Sequence, residues 1–215
     1  MDGSESSKPK KMLLGMVLFD GFQLLDVFGP LDVFGFLDDR VEIILIGEKG
    51  SEAKSSAGPV VKLDYSFSNV PDLDILMIPG GSGTRREVSN QLLLNRLKSL
   101  AEVTAHVATI CTGSAMLAKT GILDGRKATT NKRAYEWATS QSDRVIWIHE
   151  ARWVEDGKFF SSSGVSAGID MAYALISKLF GNDLAVNIAL RAEYEWKNEP
   201  DNDPFAKAKG LMTGN

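Results

Sequence analysis

The chain has 215 residues, a net charge of −4 and a sequence pI near 5.3, with 44% hydrophobic and 24% charged residues. That length supports one large or two small domains with a sizeable core. The acidic balance excludes the basic face of a general nucleic-acid binder, and no apolar run reaches the length of a membrane span. A single cysteine, Cys111, and two separated histidines, His106 and His149, build neither an intrachain disulfide nor a thiolate metal site, so no metal is expected.

The opening MDGSESSKPKK has no apolar h-region and reads as a disordered polar tail over residues 1–11, which makes the cytoplasm the default location. MLLGMVLFD then forms a near-continuous apolar run closed by Asp20-Gly21, the pattern of a strand buried on both faces of a parallel sheet. FQLLDVFGPLDVFGFLDD has helical apolar density. Because proline suits only the first helical turn, Pro30 predicts a helix beginning near Val27 with Asp26 at its entrance. A second strand is expected at residues 41–48, and a small strand or hairpin at 60–63. A third buried strand, at 73–81, ends in Gly80-Gly81.

Residues 86–103 show amphipathic spacing and predict one helix. AHVATI (105–110) is the fourth strand, and GSAMLAKTGILDG follows as a short helix ended by Gly121. KATTNKRAYEWATSQ reads as a short strand and a helix. RVIWIHEARWVEDGKFFSSSG reads as strands, with His149 inside one and Asp156-Gly157 as a hairpin turn. Helices are expected at 165–181 and 182–196, followed by a polar, mostly irregular tail.

Strands alternating with helices predict an α/β fold with a mostly parallel sheet. With no linker, repeat or low-complexity block, residues 12–206 read as one domain and 207–215 as a terminal tail. Sites on such sheets form outside the carboxyl ends of the strands. Asp26, the Gly80-Gly81-Ser82 turn and Cys111 all fall there.

A thiol between a strand end and a helix start lies near free N–H donors and the positive end of the helix dipole, which predicts a lowered pKa. Gly113 and Ser114 permit a tight turn, the logic of a nucleophile elbow. The bland alternative is a small buried hydrophobe. The N–H groups of Gly80, Gly81 and Thr112 could form an oxyanion hole; a plain turn would also favour those glycines. Asp26 could be an N-cap or an acid/base whose pKa a neighbouring thiolate raises. His106 precedes Cys111 by five residues on one strand, roughly 16 Å at the usual rise, and cannot be its dyad partner. A Cys–His protease arrangement is therefore poorly supported.

The segments FDGFQLLDVFGPLDVF, LDILMIPGGSGT, ATICTGSAMLAKTGILDGRKATTN, SSSGVSAGIDMAYALI and AEYEWKNEPDNDPFA resemble the ThiJ/PfpI superfamily, in particular its isonitrile hydratase branch. The resemblance spans residues 13–206. It implies a flavodoxin-like three-layer sandwich, similar to class I glutamine amidotransferases, with a nucleophile elbow. It also implies a homodimer and cofactor-free hydration of a small-molecule isonitrile to a formamide. Carried over by position, Cys111 is the nucleophile, Asp26 the acid/base and Thr112 the residue beside the nucleophile. Gly81 and Ser82 are the backbone-donor loop. Asn131 stands in ATTNK where relatives carry ATTHW, an exchange that removes a proton-transferring group. Leu24, Leu25, Phe28 and Ile169 are candidates for an apolar pocket. Two other readings stand beside hydration: a glyoxalase-like hydratase acting on 2-oxoaldehydes, and a non-enzymatic redox or stress-response protein sensing through Cys111.

Overall fold

The structure, a computed structural model, describes residues 10–48 and 51–211; residues 1–9 of the expected leading tail and 212–215 of the trailing one lie outside that range. In chain order the elements are β1 (Met12–Leu18), α1 (Leu24–Gly35), β2 (Val41–Gly47), β3 (Glu52–Lys54), β4 (Val60–Lys62), β5 (Tyr65–Ser66), β6 (Ile75–Ile78), α2 (Thr84–Glu87), α3 (Gln91–Val103) and β7 (His106–Thr109). They continue with α4 (Gly113–Lys119), β8 (Lys127–Ala128), α5 (Tyr135–Thr139), β9 (Ile146–Trp147), β10 (Trp153–Asp156), β11 (Phe159–Ser162), α6 (Ala167–Phe180), α7 (Asn182–Arg191) and α8 (Pro204–Ala208).

Seven strands form one sheet in the order β10-β11-β7-β6-β1-β2-β5. Every pairing is parallel except β10 with β11, whose turn is Gly157-Lys158, one residue beyond the expected Asp156-Gly157 because Asp156 still pairs with Phe159; Gly157 takes φ 63°. Helices α1, α6 and α7 pack together, as do α2, α3 and α4. The sheet therefore lies between two helical layers, the flavodoxin-like sandwich. The central strands are covered on both faces, which explains their unbroken apolar runs. Leu14 and Met16 of β1 and all four residues of β6 are fully buried. Each such side chain stabilises the fold by roughly 1.5–3 kcal/mol.

Strand order reverses at β1: the chain moves from β1 to β2 on one side, then returns to β6 and β7 on the other. Loops leaving β1 and β6 thus diverge at their carboxyl ends, where a crevice opens. The β1–α1 loop is tied to the β6–α2 loop by a hydrogen bond from the Gln23 N–H to the Gly80 carbonyl, 2.9 Å.

Several elements differ from expectation. Helix α1 begins at Leu24, so Pro30 lies in its interior and Asp26 in its first turn. The proline removes a helical donor, and close packing against α6 compensates. A side chain added at Gly29 would meet Ile169 at 2.8 Å, and one at Gly168 would meet Ile110 at 2.7 Å and Pro30 at 3.5 Å. The helix expected at 86–103 is split, because Asn90 caps α3 by accepting from the Leu93 N–H at 3.2 Å. Helix α7 stops at Arg191. The expected irregular tail contains α8, capped by Asp203, whose carboxylate accepts from the Phe205 N–H. His149 lies in a bend after β9, edge-on to Tyr135.

Two glycines test this packing in opposite directions. A Cβ at Gly113 would stand 2.2 Å from the Ile78 carbonyl oxygen, whereas one at Gly35, the last residue of α1, meets nothing within 4 Å. Gly113→Ala is expected to destabilise by about 1–3 kcal/mol through overpacking. Gly35→Ala is expected to stabilise by roughly 0.5–1 kcal/mol through chain entropy. Urea unfolding of the two variants measures both, and equal shifts would contradict the packing described.

Candidate active site

Cys111 follows β7 in a left-handed backbone conformation, φ 56°. A non-glycine residue there is uncommon and strained. Its backbone is held from three directions. The Cys111 N–H donates to the Ser163 carbonyl at 3.2 Å. Its carbonyl accepts from Ser114 Oγ at 3.0 Å and Thr130 Oγ1 at 3.1 Å. This is a sharp strand-to-helix elbow, with α4 starting two residues later.

Asp26 is completely buried. Its Oδ2 accepts from the Gly80 N–H at 2.9 Å, and its Oδ1 has no geometrically sound hydrogen bond among the described residues. Burial pushes its pKa up to about 7, against the smaller opposing pull of the Gly80 N–H and the neighbouring Cys111 thiol. Burial likewise pushes the Cys111 thiol up to about 12, and the Asp26 charge adds to that rise. The Thr112 and Val165 N–H groups and the Asn131 amide oppose it. The thiol pKa is therefore raised, not lowered as the elbow position suggested. A short helix start and three donors do not offset desolvation beside a carboxyl group. In the resting protein the proton sits on sulfur.

Asn131 takes a defined orientation. Its Oδ1 accepts from the Ala134 N–H at 2.9 Å, which turns Nδ2 toward the Cys111 sulfur at 3.1 Å. A backbone N–H can only donate, so the amide must present its donor end to sulfur. Gly164 makes this approach possible, since an added Cβ would come within 2.3 Å of Nδ2.

The glycine turn is used differently from expectation. The Gly80 N–H is committed to Asp26, and the Gly81 N–H donates to Thr112 Oγ1 at 3.2 Å. Neither glycine keeps a free donor for an oxyanion. The Thr112 N–H faces the sulfur, and the Thr112 hydroxyl also meets Thr84 Oγ1 at 3.1 Å. Both glycines are steric necessities: a Cβ at Gly80 would strike Thr112 N at 2.6 Å, and one at Gly81 (φ 135°) the Gly21 carbonyl at 2.2 Å.

Cys111, Thr112, Gly81, Ser82 and Asn131 line one cleft of about 480 Å³ together with Gln23, Arg85, Arg133, Ala134 and Val165. Asp26 lies behind Gly80, beneath that cleft. Leu25, Phe28 and Ile169 do not line it; they border another groove with Tyr173 and Tyr194. Because α1 starts at Leu24, Leu25 and Phe28 share its outer face, while Leu24 packs partly buried against the core. His106 opens β7, at the opposite end of that strand from Cys111.

Sequence reading missed Val165, Gln23, Arg85 and Arg133. Val165 is a β-branched residue at φ 46°. No local propensity marks such a position, since β-branched residues avoid this region. Arg85 and Arg133 carry no motif in the sequence that would single them out.

The raised Asp26 pKa has a consequence for stability. Between the ordinary value of 3.8 and about 7, the folded protein holds a proton that the unfolded chain has released. Stability from this group is therefore present at acid pH and is lost as pH rises through about 7, by up to about 4 kcal/mol. Asp26→Asn cannot ionise. Its melting temperature is expected to exceed that of the parent at pH 8 and to converge on it near pH 4. Parallel pH profiles for the two proteins would contradict the buried, poorly solvated carboxyl.

The sequence profile of the DJ-1/PfpI family matches residues 11–178. The chain is 34% identical over 186 residues to the isonitrile hydratase of Pseudomonas putida, covering 84% of this chain and 78% of that protein. It is 29% identical to the HTH-type transcriptional regulator CdhR of Pseudomonas aeruginosa, but spans only 43% of that longer protein. Among solved structures, a ThiJ/PfpI family protein from Pseudomonas syringae superposes with a TM-score of 0.79 at 26% identity, covering 91% of this chain and 77% of that one. Drosophila melanogaster DJ-1beta superposes at 0.77 with 19% identity, covering 87% and 100%, a likeness of fold. With its parallel sheet and its cysteine elbow at the end of β7, the chain belongs to the DJ-1/PfpI family.

Proposed function

We propose that the protein hydrates isonitriles to N-substituted formamides, with Cys111 as nucleophile and Asp26 as the group that moves the proton. The observation that carries this reading is the buried Asp26–Cys111 pair with no histidine in contact, in a chain 34% identical to an isonitrile hydratase over most of its length. A buried acid poised near neutrality both takes and returns a proton at working pH.

The sequence of steps follows from where the proton rests. The Asp26 carboxylate removes the S–H proton as sulfur bonds to the terminal carbon of R–N≡C. Asp26 returns that proton to the carbon, giving the thioimidate R–N=CH–S on Cys111 and freeing the carboxylate. Water adds to the same carbon and loses one proton to Asp26, which passes it to nitrogen and is again a carboxylate. The C–S bond of R–NH–CH(OH)–S breaks, the hydroxyl proton returns to sulfur by way of Asp26, and R–NH–CHO leaves. The overall change is R–NC plus H₂O to R–NH–CHO, with no net redox step. Asn131 Nδ2 and the Val165 and Thr112 N–H groups hold sulfur in line as its charge develops. Asn131 orients and does not transfer a proton. Its role in this scheme is electrostatic, so the absence of a histidine at 131 leaves the proton route through Asp26 intact.

A small-molecule substrate fits the cleft. No described helix is long and apolar enough to cross a membrane. A cytoplasmic location and a homodimer are parts of the same proposal.

Formamide release from para-nitrophenyl isocyanide tests the reading. Cys111→Ala is expected to abolish turnover, and Asp26→Asn to lower kcat/KM by at least about 10²-fold, the contribution of a positioned acid–base group. For the parent protein, kcat/KM should rise with pH through about 7 as Asp26 loses its proton, then level off. Turnover of methylglyoxal in place of the isonitrile would overturn the proposal, and so would an unaltered rate in Cys111→Ala.

A further inference from the structure

The cleft over Cys111 carries an unusual balance of charge. Its walls include two arginines, Arg85 and Arg133, and no aspartate or glutamate, in a protein whose net charge is −4. The remaining polar walls are Gln23, Ser82, Thr112 and Asn131, all able to donate hydrogen bonds.

Arg85 is held in place. Its guanidinium lies over the Trp137 ring, 3.7 Å from the centroid, and Nη1 donates to Thr84 Oγ1 at 3.2 Å. Thr84 in turn donates to the Thr112 hydroxyl beside the nucleophile. Stacking takes one face of the guanidinium and Thr84 takes one of its edges, leaving further N–H groups. Arg85 and Cys111 line the same cleft, so the guanidinium stands on the wall over the nucleophile. Arg133 is exposed, two residues after Asn131, and among the described residues neither arginine forms an ion pair with a carboxylate. Two unpaired guanidiniums on one cleft, one of them rigid, form a fork suited to a planar anion.

We infer that the molecule reaching Cys111 carries a carboxylate, which Arg85 and Arg133 bind while the reacting carbon meets the sulfur. On the hydratase reading, on which the isonitrile part rests, the substrate is an isonitrile bearing a carboxylate on a short chain. An unsubstituted aliphatic isonitrile would leave both charges without a partner.

Two pairs of probes separate the charge preference from the reaction. The first is isocyanoacetate against methyl isocyanoacetate, compared by kcat/KM. The second is iodoacetate against iodoacetamide, compared by the alkylation rate of Cys111, each divided by its rate with N-acetylcysteine. At one pH the thiolate fraction cancels in the second ratio. Both ratios are expected to favour the anion by about tenfold, as charge-assisted hydrogen bonds would give, and to shrink with added salt. Arg85→Gln and Arg133→Gln should each bring the ratios toward one; the second variant changes an exposed side chain and keeps the test valid if the first misfolds. An alkylation ratio near or below one in the parent protein overturns the inference, as does a preference that survives in both variants. Preference for iodoacetate without turnover of either isonitrile supports the anion site and refutes the hydratase reading.

Discussion

One backbone hydrogen bond, from the Gly80 N–H to Oδ2, and the neighbouring Cys111 thiol are set against the complete burial of the Asp26 carboxyl group. Burial outweighs the Gly80 N–H and the Cys111 thiol and keeps the acid protonated until near neutrality, while burial and then the Asp26 charge keep the thiol of Cys111 protonated well beyond that. The pair thus holds two protons below about pH 7 and one, on sulfur, above it. The cleft holds a carboxylate and a thiol, not a thiolate awaiting any electrophile. Such a pair is slow with indiscriminate oxidants and alkylators and responsive to a substrate that accepts sulfur and proton together. This weighs against sensing through a reactive thiolate, because reactivity of that kind tracks the thiolate fraction.

That balance depends on backbone geometry assembled from four separate loops. Cys111 at φ 56° and Val165 at φ 46° are both strained, and they face each other through the sulfur and the Val165 N–H. The Cys111 N–H is bound to Ser163 in the same loop that carries Val165. The elbow and the β11–α6 turn therefore stabilise one another's unfavourable dihedrals. Gly80, Gly81 and Gly164 supply the missing Cβ atoms at the places where backbone, acid and amide converge. Strain of about 1–3 kcal/mol at each such residue is tolerated because the sheet and its two helical layers over-determine their positions.

Behind the cleft, a buried polar network ties the chain's last described segment to the loop that presents Asn131. Lys132 donates to Thr129 Oγ1 at 2.7 Å and to the Ala151 carbonyl at 2.8 Å, and lies 4.0 Å from Asp203. Burial lowers its pKa to about 8, against the pull of Asp203. Arg152 joins Asp170 by a hydrogen bond of 2.7 Å, and Tyr194 donates to the same carboxylate. These groups are expensive to bury and are retained with their partners. They anchor residues 129–134, on which the direction of the Asn131 amide rests.

Much of this organisation was legible in the residues themselves. Continuous apolar runs such as ILMI in β6 marked strands covered on both faces, and their alternation with helical segments marked the parallel sheet, since burial on two sides leaves that periodic trace. The strand-end positions of Asp26, Gly80 and Cys111 were equally readable, because parallel topology brings carboxyl ends together. The start of α1 was not, because packing of Gly29 and Pro30 against α6 overrides the cost of an interior proline. Nor was the state of the thiol: a helix start argues for ionisation, whereas desolvation depends on atoms far away in the chain. The roles of Val165 and the two arginines have no local signal at all. A β-branched residue in a left-handed conformation contradicts its own propensity, and an arginine gains meaning only from what stands opposite it. The sequence by itself determined which residues could react and on which edge of the sheet they gather. Only the tertiary structure decided where the proton rests and what charge the cleft presents, because both depend on the water and the partners that folding takes away.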